Sequence, residues 1–353
     1  MRIHSKLKAD FVALEKYLAN GNPNFFNDKN LIENYKFLEV EHRGVIIEHS
    51  QLHSMVFPKN TKIKKRKAIP INLTEITTKP IPDVQTFNKV LLLQTIFFDN
   101  YCHNLIDNIP TILYHDKHSD ADIIYTPGSE LLTAQLKQHN IHLNKTIFLN
   151  PGETVSFNSE NICCINSTPC TRHRKKLLNF INEYVNKSVN CKSTTNIKNR
   201  LIYATRNYSD PNLQIRRKIQ DDNELEIIKL LKYFCDKNNL VFTLFDGYKN
   251  GKRMASSEQS KLFNEAKMVV GPHGGAMANI IYMDPQNNPI VCEFTGGTSS
   301  SIHANSVFYK NYSHLYTRYF EEIYDYNLIP FADDSTYAVS KIDIDNLKQF
   351  LKL

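Results

Sequence analysis

Nine residues constrain this 353-residue chain more than any others: Gly271-Pro272-His273-Gly274-Gly275-Ala276-Met277-Ala278-Asn279. They follow a short β-forming run, Met268-Val269-Val270, and precede another, Ile290-Val291-Cys292-Glu293-Phe294. The spacing predicts strand, tight loop, short helix, strand. Three glycines and Ala276 keep bulk off the backbone where that helix starts. The first N–H groups of a helix have no partner inside it, and the macrodipole adds partial positive charge there. A bare start of this kind suits a phosphate or diphosphate and needs no metal.

Such a loop belongs in an alternating α/β sheet, and the C-terminal half supplies the alternation. Leu201 to Thr205 and Leu240 to Phe245 read as strands, and Asn223 to Lys237 as an amphipathic helix. Ser256 with Gln259 reads as a capping box opening a helix through Ala266. By the right-handed crossover rule this series builds a parallel sheet with helices on both faces. Upstream, Val90 to Phe98, Ala121 to Tyr125, Lys145 to Leu149 and Asn161 to Ile165 read as strands, with a helix from Ser129 to His139. That pattern predicts a second α/β unit, and 353 residues are too many for one typical core. We expect an N-terminal α/β domain over residues 1–190 and a C-terminal Rossmann-like domain over 198–353. The polar, aperiodic stretch Asn186 to Lys198 would link them, and a final helix, Ile342 to Leu351, would pack back on the body of the N-terminal domain.

Composition narrows the function by exclusion. With 41% hydrophobic and 22% charged residues the chain is globular, and its net charge of +7 suits an anionic ligand without requiring nucleic acid. The basic run Lys62 to Lys67 has no aromatic residue interleaved and reads as a solvated loop. A non-catalytic polyanion- or nucleic-acid-binding protein using that run is the alternative. No stretch reaches the roughly 18 uninterrupted apolar residues of a membrane span, so no integral membrane segment is expected. Leu7, Phe11, Leu14 and Leu18 form an amphipathic helical pattern rather than a signal peptide, and the expected location is cytoplasmic. Seven cysteines without a C-x-x-C pair give neither a zinc pattern nor a disulfide framework. Phe308, Tyr312, Tyr316 and Tyr319, in the segment after Phe294, read as core.

Two further clusters carry chemistry. Tyr101-Cys102-His103-Asn104-Leu105-Ile106-Asp107-Asn108-Ile109-Pro110 follows the strand at Val90 to Phe98, and a helix there puts His103 and Asp107 one turn apart on one face. The plainer reading makes Asn100, His103 or Asn104 a helix cap. Arg206 sits just past the strand at Leu201 to Thr205, and Arg216-Arg217 follow the loop Asp210-Pro211-Asn212. Guanidinium groups at strand ends beside a glycine-rich helix start neutralise a diphosphate without a cation.

The run from Arg200 to Glu293 resembles the catalytic domain of glycosyltransferase family 61. The likeness rests on the strand ending in Arg206, the pair Arg216-Arg217, Ser257-Glu258-Gln259, the Gly271 to Asn279 loop and the strand ending in Glu293. Tyr101 to Pro110 also resembles that family's His-x-x-x-Asp-x-x-Pro element. Gly275 in place of an alanine and Gln220-Asp221 in place of Asn-Glu depart from the pattern. The resemblance implies an α/β protein of GT-B type, with two Rossmann-like domains of parallel sheets facing across a cleft. It also implies an inverting transferase with no cofactor and no metal. Its partners would be a UDP-sugar donor, UDP-N-acetylglucosamine or UDP-xylose, and a glycan or glycoprotein acceptor, with no nucleic acid. Gly271, His273, Gly274, Gly275, Ala276 and Asn279 would line the diphosphate, Arg206, Arg216 and Arg217 would neutralise it, and Glu293 would hold the ribose hydroxyls.

Inverting transfer needs a base for the acceptor hydroxyl, and His103 and Asp107 are the candidates, with the choice between them open. Rival classes lack their signatures. A dinucleotide-dependent oxidoreductase needs Gly-x-Gly-x-x-Gly after its first strand, and an α/β-hydrolase needs a Gly-x-Ser-x-Gly elbow; neither occurs.

Overall fold

The computed structural model describes residues 38–39, 44–49, 71–77, 81–95, 98–150, 152–166, 174–195, 197–207, 218–295, 323–331 and 339–353. The N-terminal amphipathic pattern, the basic run 62–67, Arg216, Arg217 and the aromatic positions between 308 and 319 lie outside them. The strands in chain order are β1 (Leu38–Glu39), β2 (Gly44–His49), β3 (Ile71–Thr77), β4 (Thr86–Gln94), β5 (Ile123–Pro127), β6 (Thr146–Leu149), β7 (Thr154–Asn166), β8 (Arg200–Ala204), β9 (Lys218–Ile219), β10 (Val241–Phe245), β11 (Tyr248–Lys249), β12 (Lys252–Arg253), β13 (Ala266–Pro272), β14 (Ile290–Thr295), β15 (Asp325–Pro330) and β16 (Val339–Ser340). The α-helices are α1 (Tyr101–His103), α2 (Ile109–His118), α3 (Glu130–Gln138), α4 (Arg174–Phe180), α5 (Asp221–Asn238), α6 (Ser256–Asn264) and α7 (Ile344–Leu351). They form two compact units, Met1–Thr133 with His142–Lys176, and Ala134–Ile141 with Leu177–Leu353.

In the first unit the sheet order is β3-β2-β7-β4-β5-β6, with β1 paired to β7. Strands β7, β4, β5 and β6 are parallel, as the α/β alternation implies; β1 and β2 pair antiparallel with β7, and β3 pairs antiparallel with β2. β4 lies inside the sheet because it is apolar on both faces: Val90, Leu91, Leu92 and Leu93 are all buried. Tyr125 stacks on Phe157 with centroids 5.4 Å apart, and Phe87 meets the same ring edge-on at 6.0 Å. The strand ends at Gln94 rather than Phe98, because Asn100 starts a helix at Tyr101. Its side chain accepts from the backbone N–H of Cys102 and His103 at 3.1 and 3.3 Å.

That helix does not run straight. Between α1 and α2 lies a π turn, Asn104–Asn108, in which Ile109 N donates to Asn104 O, five residues back. Pro110, in the first turn of α2, explains the widening. In an unbroken α-helix its ring would meet the carbonyl four residues back, and it has no N–H to give.

The second unit holds five parallel strands in the order β10-β8-β13-β14-β15. By order of appearance this is 2-1-3-4-5, so the winding reverses between β8 and β13. Open α/β sheets bind ligands at the carboxyl ends beside such a reversal, here Thr205-Arg206 and Pro272-His273-Gly274. The core joins Leu201, Tyr203, Met268, Val270, Cys292 and Phe294 to Ile227 and Leu231 of α5 and Leu347 and Leu351 of α7. Helix α7 therefore packs within this unit, where the Asn223 side chain exchanges hydrogen bonds of 2.7 and 3.0 Å with the Ile342 backbone. Residues 186–198 also belong to this unit.

One predicted cap differs in detail. Helix α6 has Ala255 as its N-cap, and Glu258 rather than Gln259 reaches back, accepting from the Ala255 N–H at 3.2 Å. Alanine has no oxygen to complete the box, so only half of it forms. Gln259 is left to donate to Met254 O at 3.0 Å and accept from Asn279 Nδ2 at 3.1 Å.

Candidate active site

Arg206 is positioned by its two neighbours. Thr205 donates through its backbone N–H to Phe245 O at 2.9 Å and through its hydroxyl to the buried Glu224 carboxylate at 2.5 Å. The Asn207 side chain donates to Ile219 O at 2.7 Å and accepts from Ile219 N at 2.9 Å. With both flanks tied, the Arg206 side chain lies over the loop that follows β13. A Cβ built on Gly274 would fall 1.8 Å from the nearer guanidinium nitrogen and 3.1 Å from Cζ, so the guanidinium rests against bare backbone. Gly271 is bare for a different reason: a Cβ there would lie 2.5 Å from Ala204 O, and β8 and β13 could not approach as they do. After Gly274 the chain enters a 3₁₀ stretch, Gly275–Tyr282, whose start no side chain caps. The predicted short helix is thus present in its tighter form. Its first N–H groups and the Arg206 guanidinium meet at one end, a concentration of donors and positive charge suited to an anion.

Glu293 stands opposite Gly271 in the β13–β14 register. His273, two residues on, returns to the same face, with its N–H bonded to Phe294 O at 2.8 Å. Its Nδ1 lies 2.5 Å from Glu293 Oε1, and the Tyr326 hydroxyl donates to Glu293 Oε2 at 2.6 Å. The Glu293 side chain is 0% exposed and that of His273 15%. Burial, the Glu293 charge and the hydrogen bond to it push the Tyr326 phenol far above its ordinary range, so it stays a donor. Glu293 Oε1 and Oε2 are thus each engaged by one protein group within the fold.

The remaining loop residues divide by burial. Gly275 is exposed and Ala276 half-buried. Asn279 is fully buried, and its Nδ2 donates to Gln259 Oε1 and Ala276 O, each at 3.1 Å. It fastens the 3₁₀ stretch to α6 and shapes the loop from behind.

In the first unit, His103 Nδ1 lies 2.6 Å from Asp107 Oδ2, with the histidine side chain 19% exposed and the aspartate 3%. The helix cap and the His-Asp pair both exist, on different residues, since Asn100 does the capping. One rung around the helix, Asn108 Nδ2 donates to Asn104 Oδ1 at 2.8 Å. Asn104 Nδ2 and Asn108 Oδ1 are buried with no hydrogen-bond partner. Both amide atoms lie in the π turn that also carries Asp107.

Among the described residues no group of three or more His, Cys, Asp or Glu side chains is arranged to hold a metal ion. Cys102, Cys191, Cys235 and Cys292 are buried thiols. Burial pushes Cys235 up to about 11, and burial with the adjacent Glu293 charge raises Cys292 further, so neither is a thiolate.

Residues 101–290, more than half of the chain, match the model of the family Glycosyltransferase 61. The chain belongs to this family. The matched span opens on the helix carrying His103 and Asp107 and closes at Ile290, so Glu293 and Tyr326 lie just beyond it. No curated protein matches the chain. A glycosyltransferase moves a sugar from a donor to an acceptor. Among the described residues no helix is long and apolar enough to cross a membrane. Sequence reasoning missed Tyr326, because its contact with Glu293 spans 33 residues and depends on β15 lying beside β14.

Proposed function

We propose that this glycosyltransferase is an inverting, metal-independent enzyme of GT-B type that uses a UDP-sugar, first UDP-N-acetylglucosamine and then UDP-xylose. The acceptor is a hydroxyl of a glycan or glycoprotein. The observation that carries the reading is the Arg206 guanidinium against Gly274, at the uncapped start of the 3₁₀ stretch and beside the sheet's reversal point. Fixed positive charge there stabilises a departing diphosphate, as oriented donors stabilise charge wherever it develops in a transition state. Arg216 and Arg217 add to that charge, and Gly271, Gly275 and Ala276 let the diphosphate approach the backbone.

His103 is the base and Asp107 its orienting partner, an assignment supported by exposure: the histidine reaches the surface and the aspartate does not. With Nδ1–H held by Asp107, Nε2 takes the proton of the acceptor hydroxyl. That oxygen attacks the anomeric carbon from the side opposite the diphosphate, and the C1–O bond breaks with its electron pair passing to UDP. The test is sugar transfer in EDTA by wild type and His103→Ala. The reading expects transfer that survives EDTA with inverted anomeric configuration, and a fall in kcat of about 10²–10⁴ in the variant with the donor KM little changed. Transfer that needs a divalent cation, or is indifferent to His103, would overturn it.

A further inference from the structure

Glu224 lies in the first turn of α5 and is 2% exposed. Two hydroxyls converge on one of its oxygens: Thr205 donates to Oε1 at 2.5 Å and Tyr203 to the same atom at 3.1 Å. A threonine hydroxyl has one hydrogen and two lone pairs, so giving the hydrogen to Glu224 leaves the oxygen able to accept. It accepts from the Asn207 N–H at 3.0 Å. A hydroxyl bonded to the N–H two residues further on closes a turn, and Arg206 is the middle residue of this one.

We propose that Glu224 and Thr205 are positioning residues for the donor: the buried carboxylate orients the Thr205 hydroxyl, the hydroxyl closes the turn on Asn207, and the turn sets the backbone from which Arg206 departs. The consequence for the donor rests on the function proposed above. The relay itself consists of hydrogen bonds made by the residues on either side of Arg206.

The two ends of the turn are tied independently of the relay. The Thr205 N–H donates to Phe245 O at 2.9 Å, and the Asn207 side chain bonds the Ile219 backbone at 2.7 and 2.9 Å. These bonds fix where the turn begins and ends, and the hydroxyl bridge fixes the backbone between. Without an acceptor at Glu224 the hydroxyl could turn its hydrogen elsewhere, and its bond from Asn207 would be one staggered arrangement among several. The turn stands at the carboxyl end of β8, beside the reversal of the second sheet, and the side chain leaving it reaches the bare backbone of Gly274. Tyr203 keeps Glu224 hydrogen-bonded when Thr205 is changed, so the relay can be cut without stranding a buried carboxylate.

Wild type, Thr205→Val, Thr205→Ser, Glu224→Leu and Glu224→Gln are compared by thermal melts, by hydrogen exchange at the Asn207 amide without ligand, and by calorimetric titration with UDP in EDTA. Serine keeps the hydroxyl and glutamine keeps an oxygen acceptor, whereas valine and leucine keep only the shape. Thr205→Val should fold, exchange at Asn207 about tenfold faster and bind UDP about tenfold more weakly, the scale of one lost hydrogen bond. Glu224→Leu should behave alike, and Thr205→Ser and Glu224→Gln should stay within about threefold of wild type in both readouts. Steady-state kinetics on Thr205→Val should show a raised donor KM with the acceptor KM unchanged. Wild-type exchange or wild-type UDP affinity in folded Thr205→Val overturns the proposal, as does a loss that serine and glutamine fail to restore. Unfolding of both Thr205→Val and Glu224→Leu also overturns it, because the relay is then a stability device alone. Absence of UDP binding by wild type overturns the proposed function and the donor role together, while exchange at Asn207 still reports on the relay, so the two failures are told apart.

Discussion

Gly274→Ala should weaken anion binding while leaving stability near wild type, whereas Gly271→Ala should lower stability while the folded protein still binds. At position 274 the added methyl would sit 1.8 Å from a terminal guanidinium nitrogen of Arg206, 3.1 Å from its Cζ and 3.6 Å from its Cδ. All three atoms belong to one flexible side chain, so the guanidinium can swing away and the fold survives. What is lost is the placement of its charge. A hydrogen bond to a charged group contributes about 1.5–3 kcal/mol, so UDP affinity should fall by about ten- to hundredfold. At position 271 the obstacle is the Ala204 carbonyl, 2.5 Å away on the neighbouring strand, and backbone inside a sheet cannot swing. Overpacking of that kind costs about 1–3 kcal/mol of stability. Thermal melts and calorimetric titration with UDP on both variants separate the two effects. Wild-type UDP affinity in Gly274→Ala, alongside lost affinity in Arg206→Ala, would refute the claim that the guanidinium works where it rests.

The other expectations concern catalysis and pH. Asp107→Asn should lower kcat while leaving the donor KM near wild type, because it disturbs the tautomer of His103 and not the diphosphate site; steady-state kinetics with donor varied would read this, and an unchanged kcat would count against His103 as base. His139, stacked on Tyr282 and edge-on to Phe180, is lowered by burial from 6.5 to about 4. The unfolded chain therefore takes up the proton first, and stability should be full above about pH 6.5 and fall by up to about 3 kcal/mol as pH drops to about 4, measured by urea denaturation against pH. Glu265 experiences burial, which opposes ionisation, but the Ser193 and Thr195 hydroxyls and the Arg200 guanidinium outweigh it and hold the carboxylate below its usual 4.5. Its contribution should be complete above that value and vanish as pH falls below it, so Glu265→Gln should destabilise at neutral pH and lose most of its effect in acid.

The second unit was largely legible in the sequence because its elements alternate and its punctuation is explicit. The strand and loop from Met268 to Asn279 lie where the glycines put them, and the shared position of Arg206 and Gly274 follows from two strand ends adjacent to a reversal. The pairing of His103 with Asp107 was readable from helical spacing, but the π turn between them needed Pro110 to be weighed as a wedge. The contacts of Glu293 were not readable, since its neighbours Gly271 and Tyr326 come from two other strands and a one-dimensional spacing carries no register. The spacing of the loop motif singles out Asn279 but does not show that its Nδ2 donates to Gln259 and to Ala276 O. The antiparallel pairings of β1 and β2 with β7, and of β3 with β2, extend the first sheet beyond its parallel part, where short runs give no hint of direction.

The most direct test of the central claim is calorimetric titration of UDP into wild type, Arg206→Ala and His103→Ala, all in EDTA. The account predicts metal-free binding to wild type, its loss in Arg206→Ala and its retention in His103→Ala, which acts on the acceptor and not on the diphosphate. Binding that appears only with a divalent cation, or survives intact in Arg206→Ala, would contradict it.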